Sequence, residues 1–487
     1  MKKVLSLLLA VALLLGMAIS PGAALATDAD DIDLSEFVEL TMYLIGTPGR
    51  DYYEVMDAVN ERLKEDINAK VNVEFVSWAD FGTKYPLMLA SFEPIDLIYA
   101  ASWCGYYSNA AKGAFLPLDD LAPKYMPKTY AEMDPDFKKQ ATTNGHLFGI
   151  PASYYMYFTM GYIARGDLMK EFGMTELTNF DQVAEYFDNV IASYPELDPS
   201  GFMQTQDSFN DYFQATRGLW QLMYPFYIDL NADTPTIVNV MEDEETLAYF
   251  KLMKEWSDKG YWPKSVLSNP DEQMFRDGKA AMRLHDLGNW RSYYLLRPEW
   301  EPYFWTDRPY SFKTLAMQDG MAVPAASRNP ERALMFLELL HQDQFYNRMF
   351  TYGIEGRHFE MNPDDTVRAL DPDGFTPEGY CSWGFKSFKF YRDMEGWPPA
   401  LKDVNDYLAS ISIETPYIMF FPDWEPIKNE QAAVSNARQQ YVIPLGYGYV
   451  DDVEAGFNEA AAQLKAAGAD VILAELQRQV EEFIATY

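Results

Sequence analysis

The sequence predicts an α/β protein of two lobes. Between Val38 and Tyr99, strand-like and helix-like segments alternate as β-α-β-α-β, the order of an open parallel sheet with right-handed crossovers. The chain has 487 residues, whereas single hydrophobic cores stop growing at roughly 250–300. No internal repeat or low-complexity tract points elsewhere.

The elements follow in order. Lys2 and Lys3 precede an apolar run from Val4 to Ile19, then Pro21, Gly22 and Ala24-Leu25-Ala26. This is the charged region, apolar stretch and small-residue cleavage site of a signal peptide ending at Ala26. The run is shorter than the roughly 20 residues that span a membrane. Residues 27–36 form an acidic leader. A strand from Val38 to Ile45 stops at Gly46-Thr-Pro-Gly49, and a helix starts at Asp51, with Tyr52, Met56, Val59, Leu63 and Ile67 on one face. Val71, Val73 and Phe75 alternate with polar residues as a half-buried strand. A short amphipathic helix from Phe81 to Ser91 leads to a third strand from Ile95 to Tyr99.

Ligands of such sheets bind outside the carboxyl ends of the strands. The three loops at those ends carry Arg50, Trp78, Trp103, Tyr106 and Tyr107. Further on, Asn144-Gly145 reads as a hairpin turn, and the first lobe crossing is expected near Ile150 to Ser153. A strand from Met156 to Ala164, a helix from Asp167 and a strand from Gly320 to Pro324 follow. Asn329-Pro330-Glu331 opens a helix, with Asn as the cap and Pro at its first position. Two helices close the chain, separated at Gly468. The expected first lobe is 37–150 with 316–380, and the second is 151–315 with 381–487.

Composition narrows the partners. There are 39 basic and 73 acidic residues, for a net charge of −34, which opposes nucleic acid and anionic lipid. Nothing matches HExxH, GxSxG, SxxK or a P-loop, and the four histidines form no close pair. No catalytic residue, metal site or cofactor is therefore assigned. Asp371-Pro-Asp373-Gly374 resembles part of a calcium loop but lacks its twelve-residue pattern, so it reads as a solvated loop. A disulfide between Cys104 and Cys381 stays open.

Aromatics make up 16% of the chain, and many sit in loops beside polar residues. A sugar ring has an apolar C–H face and a rim of hydroxyls. Trp and Tyr suit it, because each has an apolar body and a polar tip. Ser102-Trp103 through Ser108-Asn109, Asp286 through Trp290, and Asp423-Trp424-Glu425 carry both elements. About half of the tryptophans are expected to plug interfaces instead, since Trp is usually largely buried.

Several segments then occur in a telling order: Phe81 through Ile98, Leu116-Pro-Leu-Asp-Asp-Leu121, Asn144-Gly-His-Leu-Phe-Gly-Ile-Pro151, Phe275-Arg-Asp-Gly-Lys-Ala-Ala-Met282, Tyr352-Gly-Ile-Glu-Gly-Arg-His-Phe359 and Leu464-Lys-Ala-Ala-Gly-Ala-Asp470. With them the chain resembles the type 1 extracellular solute-binding proteins of ABC importers, in the large-oligosaccharide, aldouronate-type branch. The resemblance implies a type II periplasmic-binding-protein fold with a hinge between its lobes. It implies an oligosaccharide held in the interlobe cleft by a monomer, and delivery to the transmembrane permease subunits with no bond broken. It places Trp103 and Tyr106 on a cleft loop, Tyr154 and Tyr155 after the first crossing, and Asp286 and Trp290 at the end of a second-lobe strand. Glu355 is either a ligand contact or part of a tight glycine turn. Trp220 and Trp383 complete the candidate ligand-binding set with Arg50 and Trp78. Many relatives end the signal peptide in a lipidated Cys; Ala26 here precedes Thr27, so a free exported protein is expected. The alternatives are a binding protein for a peptide or signal ligand, and an exported glycoside hydrolase.

Overall fold

The computed structural model describes residues 32–158, 160–201, 206–267, 274–306 and 308–486. The signal peptide and the start of the acidic leader lie outside the described residues.

The first sheet has five strands, in the order Ala69–Val76, Val38–Ile45, Leu97–Ala100, Gly320–Ala322, Gly149–Pro151. The first three are parallel, with Val38 opposite Ala69 and Met42 opposite Leu97. Gly320–Ala322 runs antiparallel to both its neighbours. The carboxyl ends of the other four strands and the amino end of this one therefore share an edge.

The sequence pattern explains the elements. Leu40, Met42 and Leu44 point inward with period two, whereas Leu97–Ala100 is buried on both faces and reads as a continuous apolar run. The helix Tyr52–Ile67 buries Tyr52, Val55, Met56, Val59, Leu63 and Ile67 along one stripe. The next helix, Trp78–Ser91, begins three residues before the expected Phe81, because Ser77 caps it by accepting from the Asp80 amide at 3.2 Å. Asn329 stands at the cap of Pro330–Gln342 without a side-chain cap bond; its amide instead donates to Asp96 at 3.2 Å.

The core of this lobe gathers residues from Leu40 to Ile150 and from Met317 to Phe385. Cys381 and Phe385 are fully buried in it, so the boundary expected between 380 and 381 falls inside the core. A small satellite core joins Tyr352, Phe359, Val367 and Met394, with Trp397 packed against it. Leu401 and Leu408 already belong to a second-lobe core. The third crossing is thus at 398–400, marked by Pro398 and Pro399.

The second lobe centres on the antiparallel sheet Met282–Asp286, Met160–Ala164, Tyr303–Trp305 and on the packed helices Glu244–Lys259, Val453–Ala466 and Ala469–Thr486. The two earlier crossings pair with each other as short strands, Phe312 opposite Phe158 and Lys313 opposite Tyr157. No described helix is long and apolar enough to cross a membrane.

Candidate functional site: an interlobe cleft

The site is built on the shared edge of the first sheet. After Leu97–Ala100 the chain makes one tight turn, Ser102–Cys104, and Gly105 ends it with φ of 74°. That left-handed residue, cheap only for glycine, decides which aromatic faces which way. Trp103 is thrown outward and is 41% exposed. Its ring stacks on Trp78 at 5.9 Å and 26°, and its Nε1 donates to the Gln318 carbonyl at 3.0 Å. All eleven tryptophans are described, and only these two are exposed.

Tyr106, expected on a cleft loop, is fully buried. Its hydroxyl donates to the Ala141 carbonyl at 2.6 Å and its ring stacks on Phe115. It is a core residue, because the helix Tyr106–Ala111 starts right after Gly105 and turns its first side chain under the sheet. Tyr107, from the same strand-end loop, is buried and stacks on Phe421 of the second lobe at 4.1 Å.

Trp383 rides on the short turn Ser382–Phe385. Its Nε1 donates to the Tyr99 hydroxyl at 2.7 Å, and that hydroxyl donates to Asp319 Oδ1 at 2.5 Å. Burial pushes the Asp319 carboxyl up to about 6; the Tyr99 bond and Lys386 oppose this, and Asp286 adds to it. Asp286 stands at the end of its strand in the other lobe. Asp286 caps the helix Leu287–Leu296 by accepting from the Asn289 amide at 2.8 Å. Burial works against its charge, yet His285 and Asn289 hold it down at about 2.

Trp290 departs from the expectation. Its Nε1 donates to the Pro302 carbonyl at 2.6 Å and its ring stacks on Phe304, inside a second-lobe core. Leu287, Trp290 and Tyr293 repeat every three residues on one face, a helical stripe readable in advance. Arg291, one step round the helix, does reach the cleft. It donates to Tyr391 at 3.3 Å and lies 4.4 Å over the Trp397 ring.

Beside Arg291 sits a buried charge cluster that sequence reasoning missed. Lys386 Nζ donates to Glu378 at 3.0 Å and lies over the rings of Tyr391 and Tyr154, 3.4 and 4.3 Å from their centres. Tyr391 also donates to Glu378, at 2.9 Å. Burial pushes the Lys386 ammonium down to about 8, with Glu378 opposing. Glu378 is itself penalised by burial, but Lys386 and Arg291 keep it below the usual carboxylate range. Tyr155 lies nearby, with Lys313 over its ring at 3.9 Å. Trp220 packs on Phe312, in the paired crossings, at 4.4 Å.

Two candidates lie in another cluster. Arg50 donates to both oxygens of Asp51, at 3.0 and 3.2 Å, and to Asp371 at 2.5 Å. Asp51 also accepts from Arg357 at 2.9 Å, and these cations hold it well below the carboxylate range. Arg50 thus ties the Gly49 loop to the acidic loop that carries Asp371. Glu355 is exposed on the turn between Gly353 and Gly356, both at positive φ, which His358 Nδ1 closes by accepting from the Ile354 amide at 3.0 Å. Cys104 and Cys381 are buried free thiols. Among the described residues no group of three or more His, Cys, Asp or Glu side chains could hold a metal.

Two α/β lobes, three crossings and an aromatic cleft between them define a ligand receptor of the solute-binding class. The chain belongs to the bacterial extracellular solute-binding protein family, whose model matches residues 57–355. Residues 416–485 match a further family described as a domain of unknown function (DUF3502). A carbohydrate ABC transporter substrate-binding protein of Streptococcus pneumoniae serotype 4 is 24% identical over 459 residues, 91% of each chain. Among solved structures, the N-glycan transport solute binding protein NgtS of S. pneumoniae superposes with a TM-score of 0.76 at 23% identity, covering 92% of this chain and 99% of that one. Its complex with Man5GlcNAc superposes with a TM-score of 0.71 at 22% identity, covering 93% and 99%.

Proposed function

We propose that this protein is the exported substrate-binding component of a carbohydrate ABC importer. It takes an oligosaccharide into the interlobe cleft and presents it, as a monomer, to the permease subunits. The observation that carries this reading is the Trp78–Trp103 pair. It is an exposed, stacked indole surface at the strand-end edge of the sheet, joined through Tyr99 to Trp383 and Asp319. An exposed aromatic pair of this kind is costly to leave in water unless a ligand covers it. The sugar-binding description of the S. pneumoniae relatives supports the same class of ligand. Ligand touching both walls biases the protein toward the closed arrangement.

Calorimetry against neutral and uronic-acid oligosaccharides of varied length, with a peptide pool as comparison, tests the proposal. Binding of a glycan, with compaction in small-angle scattering, is the expected result. Response to peptides alone would replace the carbohydrate assignment. One observation favours a second reading: two carboxyl groups have affinities for protons pushed apart, Asp286 down and Asp319 up, as in acid–base pairs of glycosidases. Asp286 is however committed to its helix cap and to His285. No reducing sugar is expected on prolonged incubation with the bound glycan.

A further inference from the structure

A groove of about 800 Å³ opens beside the charge cluster, at the third crossing. This is within the roughly 300–1,000 Å³ of small-molecule clefts. One wall belongs to the satellite core. There the strands Phe359–Met361 and Val367–Ala369 pair, and the Asp393–Glu395 segment joins them through Val367 N to Asp393 O at 2.9 Å and Glu395 N to Val367 O at 2.7 Å. The opposite wall is Arg291 with the helix Leu401–Ser410, both of the second lobe. Trp397, Pro398 and Pro399 join the walls. Tyr154 lines the groove and also holds the Lys386 ammonium over its ring, so the groove borders the charge cluster.

The lining resembles the cleft in its chemistry. Trp397 and Tyr154 give aromatic surface. The exposed Asp393 carboxylate and the half-buried Asn405 amide make no side-chain hydrogen bond to another described residue. Asp364 is occupied by Thr366, and Glu395 by Asn362. Three carboxylates, Asp364, Asp393 and Glu395, line the groove. Its two cations are committed, Arg291 to Tyr391 and the Trp397 ring, and Lys402 to Asp406. The field disfavours an anionic occupant and leaves groups that both donate to and accept from hydroxyls.

Resting on the function proposed above, we infer that this groove is a second carbohydrate subsite. It takes the distal, uncharged units of an oligosaccharide whose other end stacks on Trp103. It sets preference for glycan length, with Trp397, Asp393 and Asn405 as the contacts.

The test is calorimetry of the full protein with Man1GlcNAc and Man5GlcNAc, comparing the unaltered chain with Asn405→Tyr, which fills the groove. Asp393→Ala serves as a second variant should the first fold poorly. The unaltered protein should bind the longer glycan at least about tenfold more tightly. Asn405→Tyr should abolish that gain while changing affinity for the shorter glycan less than about twofold. A length preference that survives both variants overturns the inference, and so does an equal loss for both glycans. Equal affinity of the unaltered protein for the two glycans also removes it. Absence of binding to either glycan counts against the carbohydrate reading itself, and the subsite falls with it.

Discussion

The two walls of the cleft use opposite materials. The first lobe offers aromatic planes, with Trp78 and Trp103 exposed and Trp383 half-buried behind them. The second lobe buries Trp290, Trp300 and Trp305 as core residues, while Asp286 ends its strand and Arg291 lines the groove at the third crossing. The contrast follows from what each edge is made of. Loops leaving parallel strands can turn a side chain outward at a single glycine, as at Gly105. A helix that caps directly onto a strand, as Leu287–Leu296 does, must keep its apolar stripe on the sheet.

The largest effect expected from breaking this contrast is at neither wall but in the cluster between them. Lys386→Met removes one partner of a buried pair and leaves Glu378 facing Arg291 and Tyr391 alone. Such losses cost about 3–5 kcal/mol, and the denaturant midpoint should fall accordingly. Next comes Tyr106→Ala. Emptying a packed aromatic site costs about 3–5 kcal/mol, seen as a lower melting temperature, with glycan affinity of the folded fraction unchanged. Trp103→Ala should do the reverse. Affinity falls about 10- to 100-fold, the scale of an interface anchor, while the melting temperature of the empty protein stays nearly constant. Together these two variants, three positions apart, separate platform from core.

The smallest effect is a dependence on pH. Asp319 has a folded-state pKa raised from 3.8 to about 6. Between these values the folded protein holds the proton more tightly than the unfolded chain, so stability falls as pH rises from about 4 to 6. The contribution is bounded by about 3 kcal/mol and is smaller for a half-buried group. Asp319→Asn should flatten the difference in melting temperature between pH 4 and pH 6 relative to the unaltered protein. An identical slope in both would move the titration elsewhere.

Much of this molecule is legible in its sequence, and the illegible parts share a cause. Strand and helix periodicity from Val38 to Tyr99 sufficed for the three parallel strands of the first sheet but not for its antiparallel Gly320–Ala322, and the strand-end rule brought Trp78 and Trp103 forward. Periodicity says nothing about a single left-handed residue, so it could not separate Trp103 from Tyr106 across Gly105. The lobe boundary was misplaced because Ser382–Phe385 is one short turn with no repeating pattern to show that Cys381 and Phe385 are core. Arg291, Asp319, Glu378 and Lys386 come from distant points of the chain and from both lobes. Only the folded arrangement gives them a common neighbourhood.

The Trp78–Trp103 stack has an optical consequence. Two indoles whose ring centres lie 5.9 Å apart at 26° are close enough for their electronic transitions to couple, and the other nine tryptophans are shielded from solvent to a greater degree. A ligand that settles on this pair perturbs the coupled transition and the most solvent-sensitive part of the emission together. The protein therefore carries its own label-free sensor, readable by circular dichroism and fluorescence in one titration.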